Sequence, residues 1–571
     1  MTLRSDRWVR GDNEVALDSR VALRMGGANV DAQGGRPIIG IANSASDLNP
    51  CNQPLAQLVA PLKEGVADAG GIAVEFPVMS LGEDLMKPSS MLYRNLLAME
   101  IEESLRSQPL DAVIVLAACD KSVPGALMGA FSTNLPCLLV VSGPRPVAHF
   151  EGRRVGTGTD LWRLWDRRRA GDLSDEQWAE LEAALTLGKG SCNTMGTAST
   201  MALVAEALGT TMPGVAGTPA ADSRLLQAAH ETGTLVVSMV HDERRPSEFL
   251  SRGSFLNAIV ALAAVGGSTN AVIHLLAIAG RLGIPLTQDD FDSVGASVPL
   301  LVDLQPSGRF LMEDFHRAGG LLAVLREVQD LLDPTALTVT GRPLVEYLAG
   351  AQIWDPEVIR SRSDPLQPHA GIAVLYGSLA PTGAVIKPSA ASEHLLRHRG
   401  RAVVFDSIED FHARIDDPEL EVDADSVLVL RGCGPKGYPG MPEVANMPLP
   451  KKLLEQGVRD MVRICDGRMS GTAYGTVVLH VSPEAAAGGP LGLVRSGDYV
   501  ILDVPARRLE IDATKEDLAS RSTAEAATRA FANPSRGWES LYVSTVQQAN
   551  TGADLNFLIG ASGDQVARES H

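Results

Sequence analysis

Up to Asp120 the chain repeatedly runs from a short apolar segment into a polar loop and on into a helical pattern, and each loop carries a thiol or carboxylates. Pro37 to Ala42 (PIIGIA) leads into NSASDLNPCNQPL, which holds Cys51, and apolar residues at Leu55, Leu58, Val59 and Leu62 predict a helix from about Pro54 to Ala69, stopped by Gly70 and Gly71. The strand-like Ile72 to Met79 opens onto SLGEDLMKPSSMLYRNL with Glu83 and Asp84, followed by a helix from about Ser89 to Ser107. The third apolar run, Ala112 to Ala118, ends in Cys119, Asp120 and Lys121 ahead of an expected break at Pro124 and Gly125. Such alternation builds an α/β fold whose ligands bind beyond the carboxyl ends of the strands. A thiol, a carboxylate and an amine in succession offer a soft metal ligand, a hard one and a cation to one small volume. The plain alternative is a buried cysteine followed by a surface Asp-Lys pair.

At 571 residues the chain is too long for one ordinary domain. A polar, proline-containing stretch from Leu331 to Asp364 marks the boundary, giving residues 1–365 and 366–571. The formal charge of -19 repels polyanions, so nucleic acid is not an expected partner, and an anionic substrate needs local cations or a bound metal. A charged amino terminus and the lack of any apolar run of roughly 18 residues predict a cytoplasmic protein without a membrane partner. The six cysteines, Cys51, Cys119, Cys137, Cys192, Cys433 and Cys465, form neither a disulfide framework nor a CxxC pair. If cysteines bind metal here, they converge from distant loops.

Cys137 sits inside the apolar run Leu135 to Ser142 and reads as packing. Asp160 to Leu187 is helical in pattern, and its WDRRRAGD run reads as a solvated face. Cys192 opens the small-residue loop SCNTMGTAST, ahead of a helix at Met201 to Leu208. The apolar stretch Arg252 to Gly280 is broken by Gly266 to Asn270 (GGSTN), which predicts a buried helix start, with His274 as a satisfied core histidine. Beyond the boundary, Gly371 to Leu375, Arg401 to Phe405, Ser426 to Leu430, Tyr499 to Asp503 and Arg508 to Ile511 predict a β-rich second domain. Two glycine-dense loops lie in it, one from Gly432 with Glu443 and one from Cys465 with Ser470, and neither is a Walker A loop or a dinucleotide fingerprint.

Together SDLNPCN at Ser46, SLGEDLMKPSSMLYRNL at Ser80, CDKSVPGALMGA at Cys119, SCNTMGTAST at Ser191, GGSTNAVIHLLAI at Gly266, GPKGYPGMPEV at Gly434 and DGRMSGTAYGT at Asp466 make the chain resemble the dihydroxy-acid, phosphogluconate and sugar-acid dehydratases. The resemblance implies an amino-terminal α/β/α domain, a β-barrel-like carboxyl-terminal domain and a site in the cleft between them. It implies a [2Fe–2S] cluster on Cys51, Cys119 and Cys192 with one iron open. It also implies a Mg²⁺ site of Glu83, Asp120, Glu443 and Lys121, the lysine carrying a carbamate. Asp84 beside Glu83 is the competing carboxylate. Ser470 matches the family's catalytic serine and Thr472 its near neighbour.

The chemistry is consistent with that carry-over. Removing a weakly acidic C2 proton and a poor hydroxide leaving group from C3 calls for hard oxygen ligands around Mg²⁺, a Lewis-acidic iron and a base. A free lysine has no acceptor, whereas a carbamate does. Taken singly, Ser470 reads as a turn residue and Glu443 as an exposed carboxylate, while His480 reads either as a substrate contact or as a strand cap. The loop following Gly434 and the SLGE context resemble the enzymes acting on aldonates. A hydro-lyase giving 2-keto-3-deoxy acids from sugar acids is therefore expected, with the branched-chain dihydroxy-acid dehydratase as the alternative. A non-catalytic iron–sulfur electron-transfer or sensing protein is the alternative of another class, and three cysteines rather than four speak against it. The resemblance further implies a homodimer or homotetramer.

Overall fold

The computed structural model describes residues 2–169, 171–525 and 534–563. The alternation read in the sequence folds into a four-stranded parallel sheet: β1 (Ile38–Asn43), β2 (Ile72–Pro77), β3 (Ala112–Leu116) and β4 (Cys137–Val140), in the order β2-β1-β3-β4. Every residue of β3 and β4 is buried, which accounts for their unbroken apolar runs. The connecting helices are α1 (Val59–Asp68), α2 (Arg94–Ser107) and α3 (Ser122–Ser132), the first two each entered through a 3₁₀ turn, at Gln53–Leu58 and Ser90–Tyr93. From β2 the chain crosses back over β1 to reach β3, so the strand order reverses between β1 and β3. That reversal leaves a crevice at the carboxyl ends of these two strands.

Pro124 and Gly125 make no break, because they lie inside α3, near its start. Proline is tolerated in a first helical turn, whose N–H groups have no partner within the helix. The charged stretch after the hairpin Ala148–Phe150/Arg153–Val155 forms two helices, α4 (Thr159–Arg169) and Asp175–Leu185. α5 (Thr197–Ala207) begins within the small-residue loop, earlier than its apolar residues indicate. α6 (Arg224–His241) packs on α1 at glycines, since a Cβ on Gly65 would lie 2.0 Å from the His230 carbonyl oxygen and one on Gly233 2.3 Å from that of Leu62. α7 (Arg252–Ala264) and α8 (Asn270–Arg281) are the two apolar halves around GGSTN.

The carboxyl-terminal region curls into an eight-stranded mixed sheet: β5 (Ala373–Leu375), β6 (Gly383–Ile386), β7 (Arg397–Phe405), β8 (Val427–Leu430), β9 (Arg463–Cys465), β10 (Val477–Ser482), β11 (Tyr499–Asp503) and β12 (Arg508–Ile511). The order is β12-β11-β7-β8-β9-β10-β6-β5, and a bridge between Tyr376 and Arg508 brings its two edges together. β8 and β9 are adjacent and parallel, and each runs at its carboxyl end into one of the glycine-dense loops. β6, β9 and β10 are not among the strands read from the sequence; like β5 and β8 they are buried throughout and lack a period of two.

The chain then returns to the amino-terminal domain. Asp554 accepts from Arg281 of α8 at 2.6 and 3.1 Å, and the same fully buried guanidinium reaches Glu102 at 3.1 Å and Ser132 at 3.0 Å. Replacing Arg281 with Leu strands two buried carboxylates and is expected to cost about 3–5 kcal/mol. An earlier urea midpoint, with faster amide exchange at residues 549–558, would report it; an unchanged midpoint would show that this ion pair does not anchor the segment.

Candidate functional site

The β1 and β3 loops meet in the switch-point crevice through the side chain of Asn52. Its Oδ1 accepts from the backbone N–H groups of Ala118 and Cys119, both at 3.0 Å. Its Nδ2 lies 2.9, 3.1 and 3.0 Å from the hydroxyls of Ser44, Ser80 and Ser122. One amide thus ties three strand ends together and presents two cysteines to each other, for the Cys51 and Cys119 thiols are hydrogen-bonded. Cys192 arrives from a third direction. The Ser191 N–H donates to the Gly143 carbonyl at 2.9 Å, Gly190 N–H to that of Pro50 at 3.1 Å, and Cys192 lies within electrostatic reach of Cys51.

The three thiols differ in character. The hydrogen bond from Cys119 favours the Cys51 thiolate against its burial, and Arg145, whose Nη2 stands 3.9 Å from Cys51 Sγ, adds to the effect, so its pKa is lowered. Cys119 is pushed up by that shared bond, then by burial. Burial, then the charge of Cys51, raises Cys192 to about 12. Cys51 paired with Cys119, with Cys192 within electrostatic reach of Cys51 and Arg145 acting on Cys51 and Cys192, is a donor set of the kind that suits a soft metal centre. The remaining cysteines lie elsewhere, Cys137 inside β4 and Cys433 against Cys465.

Beside the thiols, Lys121 Nζ sits 2.7 Å from Glu83 Oε1, 2.7 Å from Asp120 Oδ2 and 3.0 Å from Glu443 Oε1. Two of these carboxylates come from the β2 and β3 loops, and the third crosses from the loop after β8. Lys121 is wholly buried. Burial and Arg468 oppose its charge, yet the three carboxylates lift its pKa above the ordinary lysine value. Burial opposes ionisation of Glu83, but Lys121 and Arg468 outweigh it and hold the carboxyl at about 2. Asp120 moves the other way, raised by burial and only partly relieved by Lys121. Its second oxygen, Oδ1, is buried with no hydrogen-bond partner among the described residues. One ligand oxygen from each of the three carboxylates lies within 4.8 Å of the others. That converging set, with an oxygen to spare, fits a hard divalent cation. Glu83 and Asp84 part company here: Glu83 faces Lys121, while Asp84 acts electrostatically on Cys51, Cys192 and Arg145.

Glu443 is held by two residues that motif reading passed over. Arg468 Nη1 donates to its Oε1 at 2.8 Å and Asn270 Nδ2 at 2.6 Å. Both stand inside the quoted motifs, Arg468 within DGRMSG and Asn270 at the start of α8, so a signal existed. Asn52 lies within SDLNPCN, whereas Arg145 lies in none of these motifs. On the loop after β9, Ser470 Oγ is 2.9 Å from Thr472 Oγ1 and accepts from the Thr472 N–H at 3.3 Å. The two glycine-dense loops are joined by Asp466, which accepts from the N–H groups of Gly432, Cys433 and Ala485 at 3.1, 2.8 and 3.0 Å. Cys433, Cys465 and Asp466 also converge, but that carboxylate is already engaged by backbone donors.

His274 is only half satisfied. Its Nδ1 meets Arg94 at 3.1 Å, while Nε2 is buried without a partner among the described residues. His480 is fully buried with a left-handed backbone (φ 56°) and no such partner for either ring nitrogen, and burial followed by Arg468 lowers its pKa to about 3.

Asn52→Leu leaves two buried backbone N–H groups unpaired, at about 1–3 kcal/mol each. Alkylation followed by mass spectrometry is expected to find Cys51 and Cys119 newly reactive while Cys137 stays protected; equal protection of all three would refute the tie.

The sequence profiles of the dihydroxy-acid/6-phosphogluconate dehydratase amino-terminal and carboxyl-terminal domains match residues 36–347 and 357–553. The chain is 49% identical to an L-arabinonate dehydratase of Rhizobium leguminosarum, over 100% of this chain and 98% of the relative. It is 47% identical to a 6-deoxy-6-sulfo-D-gluconate dehydratase of Pseudomonas putida, over 97% and 96%. To a dihydroxy-acid dehydratase of Methanothermobacter thermautotrophicus it is 36% identical, over 91% and 94%.

Proposed function

The chain belongs to the dihydroxy-acid/6-phosphogluconate dehydratase family and is a hydro-lyase; from that premise we propose that it removes water from the C2–C3 bond of a sugar acid to give a 2-keto-3-deoxy acid. The observation that carries this reading is the buried Lys121 nitrogen gathering Glu83, Asp120 and Glu443 beside the paired Cys51 and Cys119, with Cys192 within electrostatic reach of Cys51 and Ser470 on a neighbouring loop. A sugar acid is favoured over a branched-chain acid because relatives at 49% and 47% identity are named for sugar acids, against 36% for the dihydroxy-acid enzyme.

In this reading Cys51, Cys119 and Cys192 hold a [2Fe–2S] cluster, and Glu83, Asp120 and Glu443 hold Mg²⁺ together with Lys121 as its carbamate. Bound there, the two groups supply Lewis acidity toward the substrate's carboxylate and hydroxyl oxygens. The protein's own residues do the rest. Arg468 and Asn270 fix the Glu443 carboxylate before substrate arrives, so no reorganisation is needed at the moment of reaction. Ser470 as its alkoxide, whose charge is met by the N–H and hydroxyl of Thr472, takes the C2 proton and becomes the neutral hydroxyl. The C3 hydroxyl leaves as water with the proton that Ser470 took from C2, which restores the Ser470 alkoxide, and the resulting enol tautomerises to the ketone. Arg145 and Arg468 offer an anionic substrate local positive charge on a protein of formal charge -19. No helix among the described residues is long and apolar enough to cross a membrane. As in the sequence reading, the working unit in this proposal is a cytoplasmic homodimer or homotetramer that binds no nucleic acid.

Anaerobically prepared protein is expected to contain iron, sulfide and a visible cluster spectrum, and to form 2-keto-3-deoxy acids from members of an aldonate panel. Turnover of 2,3-dihydroxyisovalerate alone would move the assignment to the branched-chain reaction, and a cluster without turnover of any acid would favour the electron-transfer or sensing reading. Ser470→Ala is expected to lower kcat by about 10²–10⁴-fold with the cluster spectrum unchanged. Chelation of divalent ions is expected to abolish turnover and added Mg²⁺ to restore it; turnover that survives chelation would count against the carboxylate site.

A further inference from the structure

The serine loop is gripped by an element of the other domain. The Thr159 hydroxyl, first residue of α4, donates to the Thr472 carbonyl at 2.9 Å. One turn on, the Trp162 indole N–H donates to Thr472 Oγ1 at 3.3 Å, and Arg163 stacks 5.6 Å above the Tyr474 ring. Gly158, with φ +86°, lets the backbone come so near that a Cβ there would lie 2.5 Å from Thr472 Oγ1. The sequence pattern marks α4 as a solvated face, and Trp162 is 39% exposed, yet its polar edge turns inward onto this one hydroxyl.

The direction of hydrogen bonding follows from which atoms can donate. An indole nitrogen donates and never accepts, whereas a hydroxyl has one hydrogen and two lone pairs. Thr472 is buried, and the polar atoms at its Oγ1 are Trp162 Nε1 and Ser470 Oγ. With Trp162 donating into one lone pair, Ser470 Oγ, 2.9 Å away, is the neighbour left to receive the threonine's single proton. The Thr472 N–H reaches the same atom. Ser470 Oγ thereby receives two donors, the arrangement that stabilises charge on oxygen.

We propose that Trp162 is a positioning residue for proton abstraction: its indole N–H fixes the Thr472 hydroxyl as a donor to Ser470 Oγ. This rests on the dehydratase reading of Ser470. Without the indole N–H, Thr472 is free to rotate and accept from Ser470, and the serine oxygen loses one of its donors.

Trp162→Phe keeps a ring in place and removes only the donor. Its kcat on the aldonate turned over by the wild type is expected to fall about tenfold, the size of one hydrogen bond, with KM unchanged. The primary isotope effect on kcat with C2-deuterated substrate is expected to rise, because the proton step becomes more fully rate-limiting. On a Thr472→Val background the same substitution is expected to do nothing further, since the link is already cut. A second readout needs no turnover. With the six tryptophans ¹⁵N-labelled, the indole signal missing from Trp162→Phe is expected to shift in Thr472→Val. An unchanged kcat, a loss repeated in full on the Thr472→Val background, or an indole signal indifferent to Thr472→Val would each overturn the inference. A wild type that turns over no acid in the panel would instead overturn the dehydratase reading and with it the catalytic role of Trp162.

Discussion

The arrangement depends on one buried ammonium. Lys121 has no exposed surface, and a lone charge so placed is prohibitively costly unless partners surround it. Here the partners are carboxylates from three loops, and their own burial is tolerable only because Lys121 and Arg468 stand among them. Neither domain is complete without the other in this respect: Glu443 reaches Lys121 across 322 positions of sequence. The cleft is therefore held together by charge at the point where hard oxygen donors are most concentrated.

Both domains use the same device to deliver their loops. In the amino-terminal sheet, Asn52 bonds to the backbone beyond β3 and fixes two cysteine loops at the place where strand order reverses. In the carboxyl-terminal sheet, Asp466, directly after β9, bonds to the backbone beyond its parallel neighbour β8 and fixes the loops of Glu443 and Ser470. Each is a single planar polar side chain spanning the ends of adjacent parallel strands, where the backbone has donors left over from the sheet. The crevice lies between the two tied loop pairs, and α4 of the amino-terminal half holds the serine loop at its edge.

Local order was legible, and convergence was not. The strand–loop–helix rhythm shows in PIIGIA and in Ala112 to Ala118, because buried parallel strands leave an apolar run ended by a loop, and in Ile72 to Met79, a half-exposed edge strand that ends in the same kind of loop. The GGSTN interruption likewise marks the start of α8. Val477 to Ser482 is just as buried, but it follows directly on the glycine-dense loop from Cys465 and leads into no α-helix, so the rhythm does not mark it. Pro124 and Gly125 read as a stop but occupy the beginning of α3, where neither disturbs a hydrogen bond that the helix needs. The pairing of Asn270 with Glu443, 173 positions apart, has no local signature, and the same holds for Trp162 with Thr472, 310 apart. The resemblance supplied residue types at the site; it could not supply which neighbour donates to which oxygen.

The placement of the remaining cysteines bears on the choice between enzyme and electron carrier. A cluster used only for electron transfer gains from full protein ligation and insulation. Here Cys137 is sealed inside β4, and Cys433 and Cys465 face each other beside Asp466, so no fourth thiol stands with Cys51, Cys119 and Cys192. What stands beside them is a lysine with three carboxylates and, on the adjoining loop, a serine whose oxygen lies beside the hydroxyl and the N–H of Thr472. Electron transfer has no use for such groups, and burying them opposes folding unless each is paired. Proton abstraction next to an anionic carboxylate uses all of them, which is why the hydro-lyase reading accounts for more of this cleft than the alternative does.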